Sequence, residues 1–224
     1  MKIFIIGITG GVGKLVGQKL RERGDEVSGL IRRTEQEGEL ANLGAQGKLG
    51  DLTTISPEDL ASLMGSTDSI VFTAGAGGGD MQTTTAIDGD GVVKAIAAAG
   101  LAKVSRFALV SVFPEAWRER DEGEGFEHYI RVKKHADVAL SRSDLDWVIL
   151  RPAALTDEDG RGTVVLGPAE IHDEVARADV ADTLVEILHE ARITQQILEL
   201  NAGDTPIREA VLRNVRRPSA TSNG

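Results

Sequence analysis

The feature that most constrains this chain is a glycine-punctuated opening. An apolar run at residues 2–6 is closed by Gly7-x-x-Gly10-x-x-Gly13, and an amphipathic stretch over 12–22 leads to a second apolar run that ends in Arg32-Arg33. Strand, tight turn, helix and strand in that order form the first unit of a dinucleotide-binding fold. Gly7 allows a sharp turn at the strand end, and Gly10 and Gly11 remove side chains where a pyrophosphate would meet backbone N–H groups. Gly13 lets the helix approach the sheet, and the unpaired N–H groups of that helix start, with Thr9 and Val12 beside them, face the anion. A glycine triplet is weak evidence alone; here it follows a strand pattern and opens a helix pattern, the context that gives it meaning.

A nucleoside-triphosphate loop is the rival reading of Gly11-Val12-Gly13-Lys14. That pattern needs a glycine at position 8 and a hydroxyl residue after the lysine, where this chain has Ile8 and Leu15. In an NAD site an acidic residue about twenty positions past the glycines binds the ribose hydroxyls. Here that position holds Arg32 and Arg33, which favours the 2′-phosphate of NADP, with NAD as the alternative. Lys14 at the helix start is a candidate second cation. Asp51 and Leu52 follow the third strand pattern, where the carboxylate could accept from an adenine amino group or simply cap a turn before Thr53. Ala74, Gly75, Ala76 and Gly77 follow the fourth, where small residues let a cofactor lie close or merely form a flexible loop.

Strand-like and helix-like patterns alternate along the chain, with strands expected at 2–6, 26–31, 45–48, 69–73, 104–110 and 146–151. Helices are expected at 12–22, 36–42, 57–63, 83–99, 126–141 and 179–190, with a short one at 206–213. The fold class is therefore α/β: a Rossmann-like, doubly wound parallel sheet in three α/β/α layers, forming one domain over 1–215. Residues 114–125 read as a mobile loop, and 216–224 as a polar, disordered tail. Gly100 reads as the stop of an alanine-rich helix.

The net charge of −10, without a long basic block, argues against nucleic acid or an anionic membrane as partner and leaves a small-molecule substrate. With no cysteine, disulfides and thiolate chemistry are excluded, and the four histidines lack a zinc spacing, so no metal is expected. No apolar run reaches the length of a signal peptide or membrane span, and a cytoplasmic protein is the expectation. Trp147 reads as core, whereas Trp117 either contacts substrate or packs back on the body.

Tyr129 is the only tyrosine, and Lys133 follows one helical turn later, so both side chains emerge on one face. A nearby ammonium favours phenolate, which would lower the tyrosine pKa and suit it to proton exchange with a carbonyl or hydroxyl. Ser111, at the end of the fifth strand, could bond the same oxygen.

Taken in order, these segments resemble the short-chain dehydrogenase/reductase superfamily, and within it the small atypical branch with NmrA-like and biliverdin/flavin-reductase-like folds. The matching pieces are Gly7-Ile-Thr-Gly-Gly-Val-Gly13, Gly50-Asp51-Leu52, Thr73-Ala-Gly-Ala-Gly77, Arg106-Phe-Ala-Leu-Val-Ser111 and Tyr129-x-x-x-Lys133. Further along, Leu150-Arg-Pro152, Arg177-Ala-Asp-Val180 and Gly203-Asp-Thr-Pro-Ile207 continue the match. The resemblance implies that Ser111, Tyr129 and Lys133 are catalytic, that Lys133 also binds the nicotinamide ribose, and that Pro152 and Ala153 approach the nicotinamide end. The second serine usual after the fifth strand is replaced by Val112-Phe113. An NADP-dependent oxidoreductase acting on a small carbonyl, quinone-like or flavin-like substrate is the expected function. A non-catalytic dinucleotide sensor is the alternative, and a sugar-nucleotide epimerase or dehydratase needs more chain than the seventy or so residues after the sixth strand. Monomer and homodimer both remain open.

Overall fold

The computed structural model describes residues 1–117 and 120–216. Two positions of the expected 114–125 loop and the tail from 217 onward thus lie outside the described residues.

The amino-terminal half alternates strand and helix. β1 (Lys2–Ile6) leads through the glycine turn into α1 (Gly11–Glu22), β2 (Glu26–Ile31), a 3-10 turn (Thr34–Gln36), α2 (Glu37–Asn42), β3 (Gln46–Leu49), α3 (Pro57–Met64) and β4 (Ser69–Phe72). Next come α4 (Met81–Thr84), a π-helical turn (Thr85–Asp90), α5 (Gly91–Ala102), β5 (Arg106–Val110), α6 (Gly123–Ser141) and β6 (Asp146–Pro152). The remainder forms β7 (Ala154–Thr156), β8 (Thr163–Gly167), β9 (Glu174–Ala176), α7 (Arg177–His189), β10 (Gln196–Ala202), β11 (Thr205–Pro206) and α8 (Ile207–Arg213).

Among the described residues the main sheet has the order β11-β8-β10-β6-β5-β4-β1-β2-β3. From β3 to β10 every pairing is parallel; β8 and β11 add an antiparallel edge, and β7 with β9 makes a separate parallel ribbon. The Rossmann-like class is as expected from sequence, and the antiparallel edge is an addition to it. Alternation along β1 shows how the layers are held: Ile3 and Ile5 enter the core beneath α1 and α7, while Phe4 and Ile6 enter the core beneath α3 and α5. In α1 the buried Val12, Val16 and Leu20 recur every fourth residue and form one apolar stripe. Trp147 is buried core, as expected.

Local chemistry sets the helix ends. The Ser56 hydroxyl accepts from Asp59 N–H at 3.0 Å with Pro57 in the first turn, so α3 starts as its sequence dictates. α5 does not stop at Gly100. Lys103 takes the left-handed conformation (φ 58°), and the N–H of Val104 reaches Ala99 O at 2.9 Å, closing the helix two residues later. The single helix expected over 83–99 is three segments, with a π turn in its middle. α6 begins at Gly123, inside the stretch expected to be loop.

Chain order reverses at β1: the chain runs outward through β2 and β3, then returns to the other side at β4. The carboxyl ends of β1 and β4 therefore flank the crevice where sheets of this kind bind ligands.

Candidate nucleotide and catalytic cleft

The glycine turn is built by contact rather than by flexibility. Gly7 has φ +97°, its carbonyl oxygen accepts from Gly10 N–H at 2.9 Å, and Gly10 O accepts from Lys14 N–H at 2.9 Å. A methyl group on Gly13 would overlap the Gly7 carbonyl and sit 2.7 Å from Thr73 Oγ1; one on Gly11 would lie 3.1 Å from Arg177 Cδ. Gly10 caps α1 without a side-chain bond, which leaves the first N–H groups of the helix to a ligand.

Above this turn lies a cleft of about 950 Å³ that follows the carboxyl ends of five neighbouring strands. It runs from Asp51 and Leu52 past Arg32, across Gly7, Thr9, Gly10, Gly11 and Val12, along Ala74, Gly75, Ala76 and Gly77, to Ser111, Tyr129 and Lys133. Five residues expected at the site do not line it. Gly13 is buried against Gly7 and Thr73, and Lys14 is exposed elsewhere on α1. Arg33 is exposed, with its backbone N–H on Gln36 Oε1 at 3.1 Å. Pro152 pairs with Leu200 inside the sheet, and Ala153 is buried with its N–H on Leu200 O at 2.9 Å. The ladder to β10 holds that strand end down. Asp51 does form the turn foreseen as its alternative role: Oδ1 accepts from Thr53 N–H at 2.9 Å and Thr53 Oγ1 at 2.7 Å, and these bonds lower its pKa.

Lys133 is 3% exposed, and its Nζ donates to Val110 O at 3.0 Å and lies 3.6 Å from Asp88 Oδ1. Asp88 is 1% exposed, and its Oδ2 accepts from Ala76 N–H at 2.9 Å, tying the small-residue loop to the π turn. Contrary to the sequence expectation, the Tyr129 phenol is held well above its ordinary value of 10.0 by burial, with Asp88 and Asp137 adding to the effect. The Lys133 ammonium is already balanced by Asp88.

Ser111 Oγ and Asp137 Oδ1 are both buried without a well-formed hydrogen bond, yet lie near enough for the hydroxyl to hold the carboxyl down. Burial outweighs that pull and leaves the Asp137 pKa raised. Its Oδ2 accepts from Arg151 Nε at 3.0 Å and Nη2 at 2.9 Å, and Arg151 Nη1 reaches Glu199 Oε1 at 3.5 Å.

On one side Tyr129 meets aromatic rings. Phe126 stacks obliquely on Tyr129 at 6.3 Å between ring centroids and on Trp117 at 5.7 Å, and Trp117 meets His172 edge-on at 5.2 Å. Trp117 thus packs back on the body, one of its two expected roles. Met81 and Leu155 also line the cleft, with 42% and 36% exposure.

Sequence reasoning missed Asp88, Asp137 and Arg177 as parts of the site. Asp88 carries a signal in hindsight: an acid flanked by Ile87 and Gly89, just ahead of an alanine-rich helix. Asp137 lies one turn beyond Lys133, and Arg177 heads α7 with its Nη1 on Asp157 Oδ1 at 2.7 Å. Among the described residues no cluster of His, Asp or Glu could hold a metal, and no helix is long and apolar enough to cross a membrane.

Open glycine turn, helix start and cleft at the point of strand reversal define an NAD(P)-binding Rossmann-type domain. Residues 7–191 match the NAD(P)H-binding family, and the chain belongs to that family. It is 35% identical to YhfK of Bacillus subtilis, described as an uncharacterized sugar epimerase, over 94% of this chain and 99% of that one. Among solved structures, the oxidoreductase ylbE from Lactococcus lactis matches with a TM-score of 0.84 and 30% identity, covering 97% and 100% of the two chains. ChuY, an anaerobillin reductase from Escherichia coli O157:H7, matches with a TM-score of 0.78 and 27% identity, covering 91% and 98%. The likeness to dinucleotide-binding reductases drawn from the sequence motifs holds at the level of fold and family.

Proposed function

We propose that the protein is an NADP-dependent reductase of a small, planar carbonyl, quinone-like or flavin-like compound. The observation that carries this reading is the continuity of one cleft from the glycine turn to Ser111, Tyr129 and Lys133. The backbone N–H groups opening α1 would hold the pyrophosphate, Arg32 at the end of β2 the 2′-phosphate, and Lys133 the nicotinamide ribose. A reduced nicotinamide bound there would supply a hydride. Tyr129 would then donate its phenolic proton to the substrate oxygen, and Ser111, at the end of β5 in the same cleft, would position that oxygen once its hydroxyl turns from Asp137 toward the cleft.

The substrate class rests on the apolar part of the cleft lining. Phe126, Met81 and Leu155 offer apolar faces suited to a flat, weakly polar molecule. The reductase name of ChuY supports the same reading. A sugar-nucleotide epimerase, the kind of name YhfK carries, is supported less: among the described residues those after β6 add strands to the main sheet, one two-stranded ribbon and two helices, a small addition compared with a separate substrate lobe.

The test is to mix the purified protein with NADPH and a panel of quinones, flavins, aldehydes and anaerobillin, following the absorbance of the reduced nicotinamide. Oxidation with one or more planar acceptors is expected. Tight coenzyme binding with no oxidation across the panel would favour the non-catalytic sensor.

A further inference from the structure

We infer that Asp88 is a fixed counter-ion for Lys133, placed by the π turn so that Tyr129 operates as a neutral phenol and delivers a proton rather than accepting one. The catalytic meaning of this inference rests on the reductase reading; the charge arrangement does not.

Two contacts place the carboxylate. Its two oxygens are divided between the Lys133 ammonium at 3.6 Å and the Ala76 N–H at 2.9 Å, and both ionic side chains are at most 4% exposed. The π turn that carries Asp88 is wedged in place: a methyl group on Gly89 would lie 3.0 Å from Val132 Cγ1 on α6, and one on Gly91 would lie 2.9 Å from Leu52 Cδ2. Gly89 thus lets the turn reach α6 at the residue before Lys133, and Gly91 lets it close on Leu52. π turns inside α-helices are rare and recur at functional sites, because the added residue redirects one side chain. Here the redirected side chain is an acid buried against a lysine.

The consequence for Tyr129 follows from counting charges. Asp88 on the π turn and Asp137 on α6 act on it directly; Lys133 lies one turn further along α6, Glu122 lines the same cleft at the start of α6, and Arg151 on β6 sits behind Asp137. Lys133 pairs with Asp88 and Arg151 with Asp137, so neither cation is left to stabilise a phenolate. An unpaired ammonium one turn away would do so. Burial in the absence of that positive charge keeps the phenol protonated, in line with the upward shift of Tyr129.

Tyr129 is the only tyrosine, which permits a test that needs neither coenzyme nor substrate. Biosynthetic incorporation of a ring-fluorinated tyrosine lowers the intrinsic phenol pKa into a range where the protein stays folded, and fluorine NMR reads both its titration and the integrity of the fold. Asp88→Asn, which keeps an acceptor for Ala76 N–H but removes the charge, is expected to lower the midpoint by about one pH unit or more. A midpoint unchanged from wild type would overturn the inference. Should Asp88→Asn fail to fold, the neutral double variant Asp88→Asn/Lys133→Met decides the matter. Its midpoint is expected to stay close to wild type, because a balanced pair has been replaced by no pair; a midpoint well above wild type would mean that Lys133 had been lowering the phenol all along, contradicting the inference. Failure of coenzyme binding or turnover would leave these titrations intact, so the two readings fall separately.

Discussion

Gly13, in the first turn of α1, rests directly against the carbonyl oxygen of Gly7, with Thr73 of the neighbouring strand end closing the third side. The contact joins β1, α1 and the end of β4 at the point where a coenzyme pyrophosphate would bind. Gly13→Ala forces a methyl group into this junction and is expected to cost about 1–3 kcal/mol of stability, the range for overpacking. Urea unfolding measures the loss, and coenzyme affinity should fall with it. A stable variant with wild-type affinity would show the junction to be slack.

Tyr129→Phe removes the proposed proton donor and leaves the cavity shape intact. Turnover is expected to fall about a hundredfold or more, with the Kd for NADPH nearly unchanged. Steady-state kinetics and a binding titration separate the two effects, and undiminished turnover would make the tyrosine a bystander.

The raised phenol pKa has a sign that kinetics can read. A donor must be protonated to act, so activity is lost as pH rises through its pKa; because that value lies above the ordinary 10.0, reductive kcat should stay flat through mildly alkaline pH. A fall in kcat centred well below 10.0 and absent from Tyr129→Phe would contradict the assignment.

Arg32 lies in the cleft at the end of β2, where the chain carries no acidic residue. Arg32→Glu is expected to weaken NADPH binding by about tenfold or more, the cost of one charge-assisted contact, while NADH is affected far less. Equal losses for the two coenzymes would remove the argument for NADP.

Arg151→Met leaves the buried Asp137 carboxylate without its cation, a change expected to cost about 3–5 kcal/mol near neutral pH. The sign of the pH dependence follows: burial already raises the Asp137 pKa, and losing Arg151 raises it further, so the folded state holds its proton over a pH range where the unfolded chain does not. The penalty should therefore shrink as pH is lowered toward the ordinary carboxyl range, as unfolding curves at several pH values would reveal.

β1, β4, β5 and β6 were legible because they are nearly continuous apolar runs, β1 ended by glycine and β6 by proline. β10 was not, since its inward-facing Glu199 and Asn201 look like surface residues until their partners are seen: Arg151 and Glu170 N–H for the first, Asp173 N–H and Ile171 O for the second. β7, β9 and β11 are two or three residues long, too short to show a period. The glycine turn and the Tyr129, Lys133 pair were readable from local spacing, and Ser111 joins them in one cleft. Asp88 and Asp137 were not, because an acid becomes a counter-ion only through contacts between elements distant in the chain. The same contacts explain why the expected lowering of the tyrosine pKa is reversed.

A crystal structure of the protein grown with NADP tests the account most directly. The expected result is a pyrophosphate on the N–H groups opening α1, the 2′-phosphate at Arg32, and the nicotinamide ring within reach of Tyr129 and Lys133. A coenzyme bound with its nicotinamide outside this cleft, or well-ordered crystals that exclude NADP at saturating concentration, would contradict it.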